Sequence, residues 1–114
     1  MNDLEERGLL EDTLVVAMGE FGRPPWINQA RGRDHYPNAW SLAMAGCGIK
    51  GGAVVGETDD LGVDVKDSPF DERNLFATIF SALGIDPHSE YNLPNFPTFH
   101  RVEEQIEPIR EVLI

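Results

Sequence analysis

The sequence predicts an α/β fold, and three observations predict it. An unbroken apolar run, Leu14-Val15-Val16-Ala17-Met18, follows a short amphipathic segment. Further β-rich stretches at Ala39–Ala45, Ala53–Gly56 and Val63–Val65 are set off by glycine turns. Asp71–Leu83 then repeats apolar residues at helical spacing, so strands and helices alternate along the chain.

Each element follows from its residues. Residues 3–10 place Leu4, Leu9 and Leu10 among acids and reach Gly8, as the last turns of an amphipathic helix would. Glu11-Asp12-Thr13 makes a polar turn. Leu14–Met18 is apolar at every position, the pattern of a strand buried on both faces. A helix feeding such a strand is half of a βαβ unit, and the other half is not in the chain. Residues 19–37 hold Gly19, Gly22, Pro24, Pro25, Gly32 and Pro37, too many breakers for a regular element, so a long loop is expected. Ala39–Ala45 reads as a strand with Trp40, Leu42 and Met44 on one face, ended by Gly46–Gly52. Ala53–Gly56 and Val63–Val65 read as short strands about the turn Glu57-Thr58-Asp59-Asp60. The helix Asp71–Leu83 has Asp71 or Ser68 as cap, Leu75, Phe76, Ile79, Phe80 and Leu83 as its apolar face, and Gly84 as its stop. Beyond it lies a proline-broken tail in which Ile106, Ile109 and Leu113 can pack.

Composition narrows the function. The chain has 114 residues, about one small domain, with no internal boundary. It has no apolar stretch of membrane-spanning length, and Met1–Glu6 lacks the basic and apolar regions of an export signal. Nine Lys and Arg against twenty Asp and Glu give a net charge of −11, which argues against a nucleic-acid partner and against an anionic lipid surface. The acids gather at Asp3–Asp12, Glu57–Glu72 and Glu103–Glu111, whereas residues 21–50 carry Arg23, Arg31, Arg33 and Lys50. A locally basic loop suits a phosphate or sulfate ester, because arginine offers a planar fork of donors; solvated loop arginines are the plainer alternative. Cys47 is the single cysteine, so no internal disulfide forms.

Two tempting motifs fail on context. Gly46-Cys47-Gly48-Ile49-Lys50-Gly51 matches a dinucleotide fingerprint, but the glycine-rich, β-branched segment after it cannot open the helix that would hold a pyrophosphate. Asp59–Asp64 lacks the ligand alternation and closing Glu of a calcium loop. His88 and His100 lie in proline-rich connections and read as surface residues. Glu20 and His35 differ, since both sit in the loop after the apolar strand, and a carboxylate with an imidazole suits a divalent cation. Asp34 would orient His35 or neutralise Arg33. An ion pair between Glu20 and Arg23, with His35 capping the loop, fits the spacing equally well.

Thr13–Arg23, Gly32–Trp40, Gly48–Gly52, Val55–Asp60, Leu75–Ile79 and Leu83–Asp86 together resemble the C-terminal part of the DUF1501 family, which is sulfatase-like and belongs to the alkaline phosphatase superfamily. The resemblance covers nearly the whole chain. It implies a partial domain, residues 1–114, the C-terminal segment of an alkaline phosphatase-like fold with buried strands, a β-hairpin and flanking helices. It implies a phosphoric or sulfuric ester hydrolase, with Glu20 and His35 as ligands of a divalent metal (zinc, manganese or calcium). Phe21 stands where the superfamily places a coordinating His or Asn, so one ligand of the two-metal site is missing. Pro24 replaces a frequent Thr. Arg23 and Arg33 match family motifs and would hold an anionic oxygen.

The superfamily nucleophile, by the same resemblance, lies upstream of everything in this chain. The chain then reads as a truncated or split gene product, inactive alone, with the N-terminal half as partner and a phosphate or sulfate ester as substrate. Full-length relatives would be exported to the periplasm; this chain carries no such signal. The rival reading is a non-catalytic module that binds an anion, a glycan or a protein through the same loop.

Overall fold

The computed structural model describes residues 1–114. Helix α1, Asn2–Glu6, ends at Arg7, and Gly8 at φ +67 turns the chain into a 3-10 turn, Leu10–Asp12; a second such turn, Arg110–Val112, lies near the C-terminus. Strand β1, Val15–Met18, pairs antiparallel with β2, Leu42–Ala45, in the register Val15 to Ala45 and Met18 to Leu42. Strands β3, Glu57–Thr58, and β4, Val65–Asp67, form a second antiparallel pair, and β5, Glu90–Tyr91, with β6, Phe99–His100, a third. Between the last two pairs runs helix α2, Glu72–Ala82. Helix and short antiparallel pairs together are a mixed α/β composition.

Several elements differ from expectation, each for a reason of packing. Strand β1 is half-buried at Val15 and Val16 and exposed at Ala17 and Met18, because β2 is its one strand neighbour and no layer covers its two faces. No strand pair is parallel, so the helix before β1 does not belong to a βαβ unit within this chain. Ala53–Gly56 is not a strand; Val54 is exposed, and the hairpin strands lie further on. The turn there is set by Asp59, whose carboxylate accepts the amide of Val63 at 2.7 Å while its own N–H donates to Asp64 O at 2.9 Å. The tail after Pro87 contains the β5–β6 pair, which its prolines conceal in the sequence.

Helix α2 starts as its residues dictate. Asp71 caps it by accepting the amides of Arg73 and Asn74, and Asn74 Oδ1 accepts the amide of Asp71, a reciprocal capping box. Leu83 and Gly84, the latter at φ +71, stop it. Its buried face is Leu75, Ala77 and Thr78, whereas Phe76 and Leu83, expected inside, are exposed. The shift follows from what lies against the helix. Asn74 Nδ2 donates to Glu107 O at 2.9 Å, and the fully buried Thr78 hydroxyl donates to Asn74 O while accepting the amide of Ile109. The C-terminal segment is thus strapped along the polar side of the predicted apolar face.

The same strap reaches the glycine turn after β2. Lys50 N–H donates to Val112 O, Ile114 N–H donates to Gly48 O, and Ile49, itself buried, bridges to Leu113. Cys47, at φ +40, donates its thiol to Ala82 O at 3.3 Å, which ties the turn to the end of α2. Gly46 is required here: its φ is +77, and a Cβ would stand 2.2 Å from Thr13 O.

Candidate functional site

The loop after β1 is an ordered structure built on one backbone pairing. Gly22 and Tyr36 exchange hydrogen bonds of 2.8 and 3.0 Å and so bring the two ends of the loop together. Only glycine fits at 22, since a Cβ would lie 1.8 Å from Ala39 O. Within the loop Asn28 organises a tight turn: its amide donates to Gly32 O, its Oδ1 accepts the amide of Gly32, and its Nδ2 donates to Asp34 Oδ1 at 2.8 Å. Arg31 takes the left-handed conformation, φ +62, at the tip. Trp26 meets Tyr36 edge to face at 5.7 Å, and Pro24 is fully buried.

The pairing places Phe21 beside His35. Their rings stack with centroids 3.5 Å apart and planes 19° from parallel, and the guanidinium carbon of Arg23 lies 4.9 Å from the Phe21 centroid. Arg23 and Arg33 cross. Arg23 Nη1 donates to Arg33 O, and Arg33 Nη1 donates to Pro24 O, each at 2.6 Å. Each guanidinium spends one of its five N–H groups on the clamp and keeps four for a ligand. Met18, Gly19, Glu20, Phe21 and Arg23 line an open depression of about 610 Å³ at the end of β1. A second, of about 340 Å³, adjoins it across Phe21 and Arg23 and extends to Trp40, Ser41 and Thr58.

The five residues singled out in the sequence therefore gather in one loop, with roles the spacing does not show. Glu20 is exposed at the rim and forms no ion pair with Arg23, which turns to Arg33 O instead. Asp34 neither touches His35 nor neutralises Arg33; it closes the Asn28 turn. Nowhere do three His, Cys, Asp or Glu side chains converge as a metal would need. Glu20 and His35 supply at most two donors, and the Phe21 ring lies flat on one face of His35, so these residues alone do not fit a bound metal. Stacking of Phe21 on His35 is the feature that sequence reasoning missed. Phe21 entered that reasoning only as a lost ligand.

Elsewhere, Arg101 lies 4.2 Å from the Tyr91 ring centroid, hydrogen-bonds to Ser89 and Tyr91, and sits 5.9 Å from the ring centroid of Phe80 in α2, linking the β5–β6 pair to that helix. His100 faces Glu90 across that pair at 3.9 Å. His88, read as a surface residue, is half-buried, and its Nδ1 is enclosed without a hydrogen-bond partner.

A strand that empties into a polar, glycine-flanked loop defines a mixed α/β protein with a candidate site at a strand end. The chain belongs to the DUF1501 family, described as a protein of unknown function, whose family model matches residues 1–113. No curated protein and no solved structure matches it.

Proposed function

We infer that the chain is the C-terminal part of an alkaline phosphatase-like, sulfatase-like hydrolase of phosphate or sulfate esters, inactive without the remainder of that fold. One observation carries this reading: the Gly22–Tyr36 pairing folds a nineteen-residue breaker-rich loop, 19–37, so that Glu20 and Arg23 line a depression at the end of an apolar strand, with His35 stacked on its Phe21 wall and Arg33 clamped to Arg23. In this reading the spare N–H groups of Arg23 and Arg33 hold the anionic ester, where developing charge is stabilised by donors already in place. Glu20 and His35 are first candidates for proton handling or for two of a metal's donors; the chain supplies no third, and no step is assigned to a metal here. The nucleophile comes from the N-terminal half.

The Phe21 stack and the crossed arginines favour a second reading, a non-catalytic module that binds an anion, a glycan or a protein. Hydrolysis of aryl phosphate and aryl sulfate, with metal analysis, on the chain alone and on its complex with an N-terminal half, separates the two. Turnover in the complex that is lost in Glu20→Ala and His35→Ala supports the hydrolase. A complex without turnover, or turnover indifferent to both substitutions, sinks it.

A further inference from the structure

The depression of about 340 Å³ shares Phe21 and Arg23 with the one that Glu20 lines, so a group held on Arg23 borders both. Three segments of the chain build its walls: Phe21–Arg23, Ala39–Ser41 before β2, and Thr58 with Gly62 in the β3–β4 hairpin. Each is fixed. Gly22 pairs with Tyr36, Ala39 is buried, and the Asp59 carboxylate holds the hairpin turn through the amide of Val63.

The lining calls for a ligand of mixed character. Trp40, 37% exposed, lines this depression, whereas Phe21 is stacked on His35 and Trp26 meets Tyr36 outside both depressions. Trp40 is therefore the aromatic surface open to a ligand. Ser41 and Thr58, both exposed, bring hydroxyls that donate and accept, and the residues lining the depression include no acid. An apolar platform with neutral hydroxyls at its rim matches a sugar ring, whose C–H face lies on the indole and whose hydroxyls meet Ser41 and Thr58. A plain aryl group would use the indole and leave both hydroxyls to water. The volume lies at the lower end of the roughly 300–1,000 Å³ of small-molecule sites, which suits one ring.

We propose that this second depression is the subsite for the alcohol part of a sugar ester: one sugar ring seated on Trp40, hydrogen-bonded by Ser41 and Thr58, with its phosphate or sulfate on Arg23. Trp40 is then the residue that sets specificity. The proposal rests on the preceding reading in that Arg23 holds the anionic ester, and its test reads binding without turnover.

Glucose 6-phosphate, glucose 6-sulfate, phenyl phosphate and inorganic phosphate are titrated separately into the isotope-labelled full chain. Affinity and the indole N–H signals of Trp26 and Trp40 are followed by NMR. The sugar esters are expected to shift Trp40 and not Trp26, and to bind about tenfold more tightly than inorganic phosphate or phenyl phosphate. Trp40→Ala should bring that ratio down to about one, and Ser41→Ala with Thr58→Val, both at exposed side chains, to about three. Binding of one sugar ester alone supports the subsite and fixes the ester as phosphate or as sulfate. Sugar esters that bind no more tightly than inorganic phosphate, or that shift Trp26 in place of Trp40, overturn the proposal. So does phenyl phosphate that binds as tightly as glucose 6-phosphate and ignores the hydroxyl substitutions, which would make the depression an aryl pocket. Loss of the sugar subsite with Glu20-dependent turnover of aryl esters intact in a complex spares the hydrolase reading; sugar esters on Trp40 with no turnover in any complex sink that reading and keep the subsite.

Discussion

At residue scale, the loop is held by contacts of very unequal tolerance. Gly22→Ala forces a methyl into Ala39 O and breaks the pairing that closes the loop, an overpacking cost of about 3 kcal/mol; urea unfolding should show a lower midpoint at unchanged slope. Phe21 makes a different prediction. An imidazole stacked at 3.5 Å lies in the ring current of its neighbour, so the His35 carbon-bound protons should resonate upfield in the wild type and return towards ordinary values in Phe21→Leu. Unchanged His35 resonances would mean that the stack does not persist in solution. Little of this was legible beforehand. The sequence marked Glu20, Arg23, Arg33, Asp34 and His35 as one polar group in a loop of breakers, because glycine and proline announce loops by backbone geometry alone. Which atoms they contact depends on the return of Tyr36 to Gly22, a long-range pairing that no local spacing encodes.

At the scale of elements, α2 was the most legible. Its cap, its stop and its length follow from Asp71, Gly84 and a 3.6-residue period, all local. Its buried face was misread because polar Thr78, not Phe76, meets the strap. Thr78→Val keeps the shape but leaves the amide of Ile109 without its acceptor in a buried place, at a cost of about 1–3 kcal/mol. Thr78→Ser retains both hydrogen bonds and should cost less; thermal unfolding of the two variants checks the order. Asp71→Ala removes the cap at about 1 kcal/mol. The hydrogen bond from the Arg73 side chain holds the Asp71 carboxyl below its usual pKa, helped by the Asn74 and Arg73 amides and the Arg73 charge, with burial opposing. A carboxyl whose folded pKa is depressed stabilises the fold fully above its unfolded pKa and loses that contribution as pH falls through the folded one. Acid unfolding below about pH 4 should therefore show a smaller loss in Asp71→Asn than in the wild type. The strands were legible as apolar runs but not in their pairing. β1 carries the pattern of a strand buried on both faces and has one neighbour, so its apolar run and its burial do not match.

At the scale of the whole molecule, that mismatch governs behaviour in solution. A chain that exposes Trp26, Trp40, Phe76 and Phe96 should bind the apolar dye ANS and unfold with a shallow urea dependence compared with a compact domain of 114 residues. A steep transition without dye binding would show that these surfaces are covered. Composition revealed the acidity but could not reveal the openness, because burial is a property of neighbours. The strap adds a consequence in time. Helix α2 has a local cap and a local stop and can form within microseconds, whereas Lys50 to Val112, Gly48 to Ile114 and Thr78 to Ile109 join segments distant in sequence, whose closure costs chain entropy before any contact repays it. Folding should then run as a fast helical phase followed by a slower docking of the C-terminal segment, and Thr78→Val should slow the second while leaving the first alone.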